Sequence, residues 1–166
     1  MIDLFANAGA LQRVVDIELA GADLKCWPNF YSVQESQRLF SELYEGLDWQ
    51  SEMIQVFGRK VRIPRRTAWY GDSGANYRYS GLTHRARALP FLLEKIRQKL
   101  SLALELNFNS ALGNLYRDGC DSMGWHSDDE PELGISPVIA SLSFGASRFF
   151  DLRSVHDSRV KHRVEI

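Results

Sequence analysis

After Asn107 the sequence changes from helical periodicity to short apolar runs separated by turn-rich segments. The runs occupy residues 110–117, 137–144, 148–153 and 160–166. Runs of this length, separated in this way, are typical of an all-β sandwich or barrel. The second half of the chain is therefore predicted to build a β-sheet structure.

Two amphipathic helices are predicted before this region. The first begins at Ser32, because Ser32 and Glu35 match the capping-box pattern. Its apolar residues recur at helical spacing, at Phe40, Leu43, Tyr44 and Leu47. The second covers about residues 89–104, with Pro90 in its first turn. Its apolar stripe consists of Leu92, Ile96, Leu100 and Leu104. Both stripes are interpreted as core faces, and helices followed by strands predict an α+β fold.

Length and composition predict one globular domain. The chain has 166 residues, 45% of them hydrophobic, so residues 1–166 are interpreted as a single domain with its own core. Its net charge of −1 offers no general attraction for nucleic acid, so any such surface must be local. Cys26 and Cys120 lie far apart and are expected to be reduced thiols. Neither a signal peptide nor a membrane helix is apparent, and a cytoplasmic monomer is expected.

His126 and Asp128 are the candidate metal ligands. In an extended segment, residues i and i+2 project from the same face, so one imidazole and one carboxylate can bind a single ion. This combination suits the facial triad of non-haem iron(II) oxygenases, which leaves positions open for a cosubstrate and oxygen. On its own, however, the pair fits a solvated acidic turn better than a metal site.

Further motifs surround this pair in a fixed order. Asn-Leu-Tyr-Arg-Asp-Gly-Cys-Asp stands at 114–121, His-Ser-Asp-Asp-Glu at 126–130, Pro-Val-Ile-Ala-Ser-Leu-Ser-Phe-Gly at 137–145 and Arg-Phe at 148–149. Together they resemble the AlkB family of nucleic-acid repair dioxygenases. Pro-Arg-Arg-Thr-Ala-Trp-Tyr-Gly-Asp at 64–72 and Tyr-Ser-Gly-Leu-Thr at 79–83 extend the similarity toward the branch that acts on duplex DNA. The resemblance covers roughly residues 50–166.

The resemblance implies roles for individual residues. His126 and Asp128 match the family's first two iron(II) ligands. Asn114 and Tyr116, at i and i+2 of a predicted strand, match residues that bind 2-oxoglutarate. Positions that usually line the same pocket are matched by Leu112, Ile139 and Ser141. For the two aliphatic residues among them, core packing is the better interpretation.

The resemblance also implies the fold, a double-stranded β-helix (jelly-roll) core supported by N-terminal helices. The family's third iron ligand is a His, followed by an Arg that binds the far carboxylate of 2-oxoglutarate. Neither has a match before Ile166, and His156 and His162 are expected to be surface residues. The sequence therefore predicts a jelly roll truncated at its C-terminal end, either a fragment or a degenerate member.

A local basic strip with neighbouring aromatic residues indicates a nucleic-acid surface. It contains Arg59, Lys60, Arg62, Arg65 and Arg66. Such a strip suits phosphate contacts. By resemblance, Phe57, Gly58 and Arg59 match a loop whose apolar side chain fills the space left by a flipped base. Substrate-contacting positions are matched by Tyr77, Arg78, Tyr79, Asp129 and Glu130. A solvated hairpin and a solvated acidic turn remain the alternatives.

The function implied is oxidative demethylation of N-alkylated bases in DNA, such as 1-methyladenine and 3-methylcytosine, with RNA as a further candidate. Iron(II) would be the cofactor and 2-oxoglutarate the cosubstrate, with release of succinate and formaldehyde. Two alternatives stay open: a 2-oxoglutarate hydroxylase acting on a protein or small molecule, and a catalytically inactive nucleic-acid-binding module. The basic strip and the Phe57 loop argue against the first, whereas the missing ligands favour the second.

Overall fold

The computed structural model describes residues 14–56, 58–75, 77–79, 82–84, 86–128, 130–134 and 136–166. These residues form mixed helical and strand structure, as predicted. They divide into two compact units, one with the described residues up to Ser41 together with Leu142–Ile166, the other with Glu42–Ser141. The single domain over 1–166 stays a prediction. Within the described ranges, no helix is long and apolar enough to span a membrane.

The first unit begins with a hairpin that the periodicity of the sequence did not reveal. Strands β1 (Val15–Leu19) and β2 (Ala22–Cys26) pair antiparallel, with Leu19 opposite Ala22. The turn between them places Gly21 at a φ of 86°, a backbone conformation that glycine adopts without steric cost. This two-residue turn of Ala20 and Gly21 lets the two strands reverse direction directly.

Helix α1 (Val33–Gly46) begins at the predicted capping box. The backbone N–H of Ser32 donates to Glu35 Oε2 at 2.9 Å, and the N–H of Glu35 donates to Ser32 Oγ at 3.3 Å. Its buried stripe differs from the predicted one only in part, because Leu43 and Leu47 pack in the core as predicted. Leu39 is the buried residue, whereas Phe40 and Tyr44 are 39% and 54% exposed, so the prediction that they face the core is wrong.

The residues described in the second unit include three antiparallel strand pairs and one complete α-helix. The elements of this unit are β3 (Met53–Val56), β4 (Arg59–Arg62), β5 (Arg66–Gly71), β6 (Tyr77–Tyr79), β7 (Leu82–His84), α2 (Phe91–Leu104) and β8 (Ser110–Leu115). Strand β5 pairs with β8 from Arg66–Leu115 to Gly71–Ser110. The core cluster comprises Leu47, Ala68 and Tyr70, with Leu43, Trp49, Leu89 and Leu93 packed around it.

Helix α2 confirms the second predicted helix with one change at its start. Pro90 is not in the first turn but is the N-cap residue, with a non-helical ψ of 155°. Its carbonyl accepts the backbone N–H of Glu94 at 3.0 Å. Ile96, from the predicted stripe, is buried at 8% exposure.

Two of the predicted C-terminal strands are present in the first unit, and one predicted strand is absent. Strands β9 (Phe149–Arg153) and β10 (Lys161–Glu165) form an antiparallel hairpin. The predicted strand over 137–144 is wrong, because no described strand pairs with it, and Val138 and Ile139 are 64% and 55% exposed. A strand without a ladder leaves its N–H and C=O groups to water. All sheets among the described residues have two strands, so the jelly roll stays a prediction.

Candidate metal centre

The two faces of β8 have different surroundings. A Cβ on Gly113 would lie 3.1 Å from two ring carbons of Trp49, so this face is packed. Asn114 and Leu112 lie on the opposite face and are exposed. Leu112 is 38% exposed, so the interpretation of this side chain as core packing is wrong. Leu112 and Asn114 therefore lie on the open face, since successive strand residues alternate in direction, whereas Tyr116 is half-buried and follows the end of β8.

A partly buried polar contact between Thr67 and Glu52 lies next to the position of Asn114 in the sheet and was not predicted from the sequence. Thr67 of β5 is directly opposite Asn114 in the ladder. Residues opposite each other in an antiparallel pair share a face of the sheet. Thr67 is buried, and its hydroxyl donates to Glu52 Oε1 at 2.6 Å. The surroundings of Asn114 are thus polar and already ordered.

The imidazole of His126 is held in one orientation by its own loop. Its Nδ1 lies 2.8 Å from the carbonyl oxygen of Gly124. A carbonyl can only accept, so Nδ1 carries the proton of this bond. In the neutral ring this leaves the lone pair on Nε2, which lies 3.8 Å from Asp128 Oδ1. Metal-ligating histidines are commonly oriented in this way, by a carbonyl at the second ring nitrogen.

The donor pair fits a metal ion as far as two ligands can. The 3.8 Å between Nε2 and Oδ1 is less than twice the roughly 2.1 Å typical of a transition-metal bond to nitrogen or oxygen, so one ion can reach both atoms. Both side chains are about half exposed, so the position is accessible. Among the described residues no group of three His, Cys, Asp or Glu side chains could hold a metal. His156 and His162 are exposed, as predicted.

The remaining predicted site residues are only partly described. Phe57 and Asp129 lie outside the described residues. The backbone of β6 covers Tyr77, Arg78 and Tyr79, whose side chains are not described. Glu130 is half-buried, immediately before a short 3-10 helix at Pro131–Leu133. Ser141 and Ile139 are exposed, so core packing is also the wrong interpretation for Ile139.

One of the five residues of the predicted basic strip is buried. Three of its cations, Arg59, Lys60 and Arg62, lie on β4 and are exposed, and Arg66 at the start of β5 is exposed as well. Arg65 is only 8% exposed, so its assignment to the surface strip is wrong. The β3–β4 ladder closes at Val56 and Arg59, and Gly58 between them has a φ of 77°. Three of the four exposed cations therefore lie on one arm of a tight hairpin, and Arg66 lies on β5.

Comparison with known proteins identifies the family of the chain. A model of the 2OG-Fe(II) oxygenase superfamily matches residues 23–166, which include β8, His126 and Asp128. The chain belongs to this superfamily. DNA oxidative demethylase ALKBH2 of Bos taurus is 42% identical over 138 residues, which are 80% of this chain and 49% of that protein. The ALKBH2 of Homo sapiens is 42% identical over 130 residues, 76% of this chain and 49% of that protein.

A second group of relatives is similar to the same extent. Alpha-ketoglutarate-dependent dioxygenase alkB homolog 3 of Mus musculus is 39% identical over 147 residues, 86% of this chain and 50% of that protein. These relatives confirm the predicted resemblance to the AlkB family. The chain spans about half the length of the curated relatives it matches.

Proposed function

We propose that this chain carries the first two iron ligands and the 2-oxoglutarate-binding strand of a dioxygenase that demethylates N-alkylated bases in DNA. The observation that carries the proposal is the His126–Asp128 pair, with Nδ1 bonded to Gly124 and Nε2 turned to the carboxylate. The superfamily match spans this pair, and relatives of both groups are named for DNA demethylation or dioxygenase activity. Methylated DNA is the proposed substrate, with RNA as a further candidate.

The roles follow from the chemistry of each side chain. His126 Nε2 and one oxygen of Asp128 would hold iron(II), which supplies oxygen activation coupled to the decarboxylation of 2-oxoglutarate when it is bound. Asn114 offers an amide and Tyr116 a phenol, groups that hydrogen-bond a 2-oxo acid. Leu112, on the same open face of β8, would form an apolar wall beside them. A jelly-roll core around these strands is part of the same proposal.

The DNA surface is proposed along β4. Its exposed cations, Arg59, Lys60 and Arg62, suit phosphate contacts, which position a duplex without reading its sequence. Phe57, next to Gly58 at the hairpin turn, is proposed as the wedge that replaces a flipped base, because a base inside a duplex cannot reach an enclosed metal. Tyr77, Arg78, Tyr79, Asp129 and Glu130 are proposed to contact the substrate.

The metal assignment is tested by titrating Mn(II), an oxygen-stable substitute for iron(II), into the protein and two variants. His126→Ala should weaken binding at least tenfold, because it removes a ligand. His162→Ala is the matched control, since His162 is an exposed imidazole on β10 and should bind Mn(II) as the parent does. Equal affinities of the parent and His126→Ala would remove His126 from the centre.

The cosubstrate assignment is tested by the binding of 2-oxoglutarate to the Mn(II)-loaded protein. Asn114→Ala and Tyr116→Phe should each raise the dissociation constant. Asn109→Ala serves as control, because Asn109 is an exposed amide just before β8 whose side chain bonds only its neighbour Ser110 among the described contacts. An unchanged constant in the Asn114→Ala, Tyr116→Phe double variant would exclude both residues.

The DNA surface and the reaction are tested with methylated oligonucleotides. Arg62→Ala should weaken binding to methylated and unmethylated DNA alike and reduce its salt dependence, whereas Lys25→Ala on β2 should change neither. Phe57→Ala should impair demethylation of duplex DNA far more than of single strands. Succinate release that does not depend on a methylated base would favour a hydroxylase with another substrate, and binding without any release would favour an inactive binding module.

A further inference from the structure

The turn that joins the proposed cosubstrate strand to the metal pair is closed by one buried carboxylate. Asp121 is only 4% exposed, and it is the only acidic residue that is buried among those the structure describes. Its Oδ2 accepts the backbone N–H of Arg117 at 2.9 Å and Nε–H of the same residue at 2.7 Å, while Oδ1 accepts from Nη2 at 2.7 Å. A single side chain therefore holds both the backbone and the guanidinium of Arg117.

These contacts make the turn rigid. A buried carboxylate is costly unless charge-assisted hydrogen bonds satisfy it, and a bidentate guanidinium is the strongest partner available. The same hydrogen bonds raise the pKa of Arg117 further above its usual value. Asp118 closes the turn from the other side, because its Oδ1 accepts the backbone N–H of Cys120 at 2.8 Å.

The position of this turn in the chain connects it to the proposed site. The N–H that Asp121 holds belongs to the peptide bond immediately after Tyr116, so it fixes the direction in which the chain leaves β8. The segment that follows the turn leads to Gly124, whose carbonyl orients His126. Tyr116, the proposed cosubstrate residue, and His126, the proposed metal ligand, thus lie at the two ends of one segment. Asp121 lies midway between them in the chain and constrains the turn through its hydrogen bonds to Arg117.

We propose that Asp121, acting through Arg117, is a positioning residue of the iron and 2-oxoglutarate site. It sets the orientation of Tyr116 and the course of the loop to His126, and it contacts neither metal nor substrate itself. The inference rests on the function proposed above, since it assumes the roles of Tyr116 and His126. Replacing a residue that orients metal ligands commonly weakens metal binding by roughly 10- to 100-fold.

The test variant is Asp121→Asn, which keeps the shape of the side chain and removes its charge. Mn(II) binding, 2-oxoglutarate binding to the Mn(II)-loaded protein, and thermal unfolding are measured on the same preparations. We expect both dissociation constants to rise by about tenfold, the lower end of the range for such residues. Arg117→Lys keeps the positive charge and the backbone N–H but loses the two guanidinium hydrogen bonds to Asp121. It should raise both dissociation constants by a smaller factor than Asp121→Asn does. It also serves if Asp121→Asn fails to fold.

The chain provides a control with the same set of hydrogen bonds in a more exposed turn. Asp157, in the turn between β9 and β10, makes the same three contacts to one arginine: it accepts the backbone N–H of Arg159 at 3.0 Å, Nε–H at 3.0 Å and Nη2 at 2.8 Å. Asp157→Asn should therefore lose a comparable set of bonds. Its Mn(II) and 2-oxoglutarate constants should stay within twofold of the parent, because no proposed site residue adjoins that turn in the chain.

Parallel measurements on His126→Ala distinguish a failure of the positioning proposal from a failure of the proposed metal centre. If His126→Ala weakens Mn(II) binding but neither Asp121→Asn nor Arg117→Lys changes either constant, the positioning role is wrong and the proposed centre stands. If His126→Ala binds Mn(II) as the parent does, the proposed centre is wrong and the role of Asp121 is lost with it. A lowered unfolding temperature with unchanged constants would identify Asp121 as purely structural.

Discussion

Replacing Gly113 by alanine should destabilise the protein, although alanine is ordinarily the more favourable residue in a strand. Gly113 lies in β8 between Leu112 and Asn114 and faces the packed side of the sheet. An added Cβ would lie 3.1 Å from Cη2 and Cζ3 of Trp49 and 3.4 Å from Cδ1 of Leu47. The indole cannot simply swing away, because its Nε1–H donates to the carbonyl of Tyr44 at 3.0 Å.

The magnitude follows from two opposing effects. Carbon atoms pack best at about 3.5–4.0 Å, so the indole or the strand must move by roughly 0.4 Å or more. Such overpacking typically costs about 1–3 kcal/mol. The reduced entropy of the unfolded chain returns about 0.4–1 kcal/mol. The centres of these ranges give a net loss of about 1.3 kcal/mol, which lowers the unfolding temperature by about 3–5 °C for a chain of this size.

Urea and thermal unfolding followed by circular dichroism measure this change. Gly46→Ala is the control, because Gly46 is the last residue of α1 and a Cβ there would meet no atom within 4 Å. Relief of the helix penalty of glycine should stabilise that variant by up to about 1 kcal/mol. The two substitutions should thus have opposite signs. A Gly113→Ala protein at least as stable as the parent would refute the packing argument.

Two further predictions concern stability. Ser32→Ala removes the hydroxyl of the capping box and should cost about 1 kcal/mol in urea unfolding, whereas an unchanged midpoint would show that the cap does not stabilise α1. The guanidinium of Arg163 holds the pKa of Asp151 below its usual value, so this pair stabilises the fold above pH about 4 and the contribution is lost as pH falls through the lowered pKa. Asp151→Asn should therefore lose less stability than the parent between about pH 5 and 3; equal losses would contradict the assignment.

The local features of the fold could be predicted from the sequence. The capping box of Ser32 and Glu35 forms as expected, because its two hydrogen bonds join residues three apart. Helix α2 and strands β8, β9 and β10 also lie close to their predicted positions. Each of these elements has its periodicity and its end signals within its own residues, so no distant contact is needed to define it.

Features that depend on distant contacts could not be predicted. The capping pattern located α1, but the choice of Leu39 rather than Phe40 as its buried residue depends on what packs against the helix. Arg65 was grouped with its exposed neighbours because charge alone is visible in the sequence. The segment at 137–144 has strand-like residues but no partner among the described strands. Strand formation requires such a partner, so composition alone overestimated it.

The candidate centre was only partly visible for the same reason. His126 and Asp128 stand two apart, so their residue types and spacing allowed a shared ion, and the family motifs around them made a metal site the preferred interpretation. Asp121 and Gly124 carry no such signal, since an aspartate before a glycine-containing loop is common in any turn. Their contribution is a hydrogen-bond acceptor at a defined position, and this is fixed only when the turn is formed. The only sequence signal for this contact was that Arg117 and Asp121, which have opposite charges, stand four residues apart.

Side chains of β8 point alternately to its packed face and its open face, so the same strand contributes to both the stability of this unit and its proposed binding site. Gly113 packs against Trp49, and the residues on either side of it, Leu112 and Asn114, therefore face the open side. Because a strand has a period of two, a shift by one residue would turn Asn114 into the core and expose the packed face. The close approach of Trp49 to Gly113 excludes that shift, since no residue with a side chain fits the same place without displacement. The packing that makes Gly113 intolerant of alanine thus also places Asn114 on the open face, where the proposed cosubstrate would bind, and a displaced strand should lose affinity for 2-oxoglutarate together with stability.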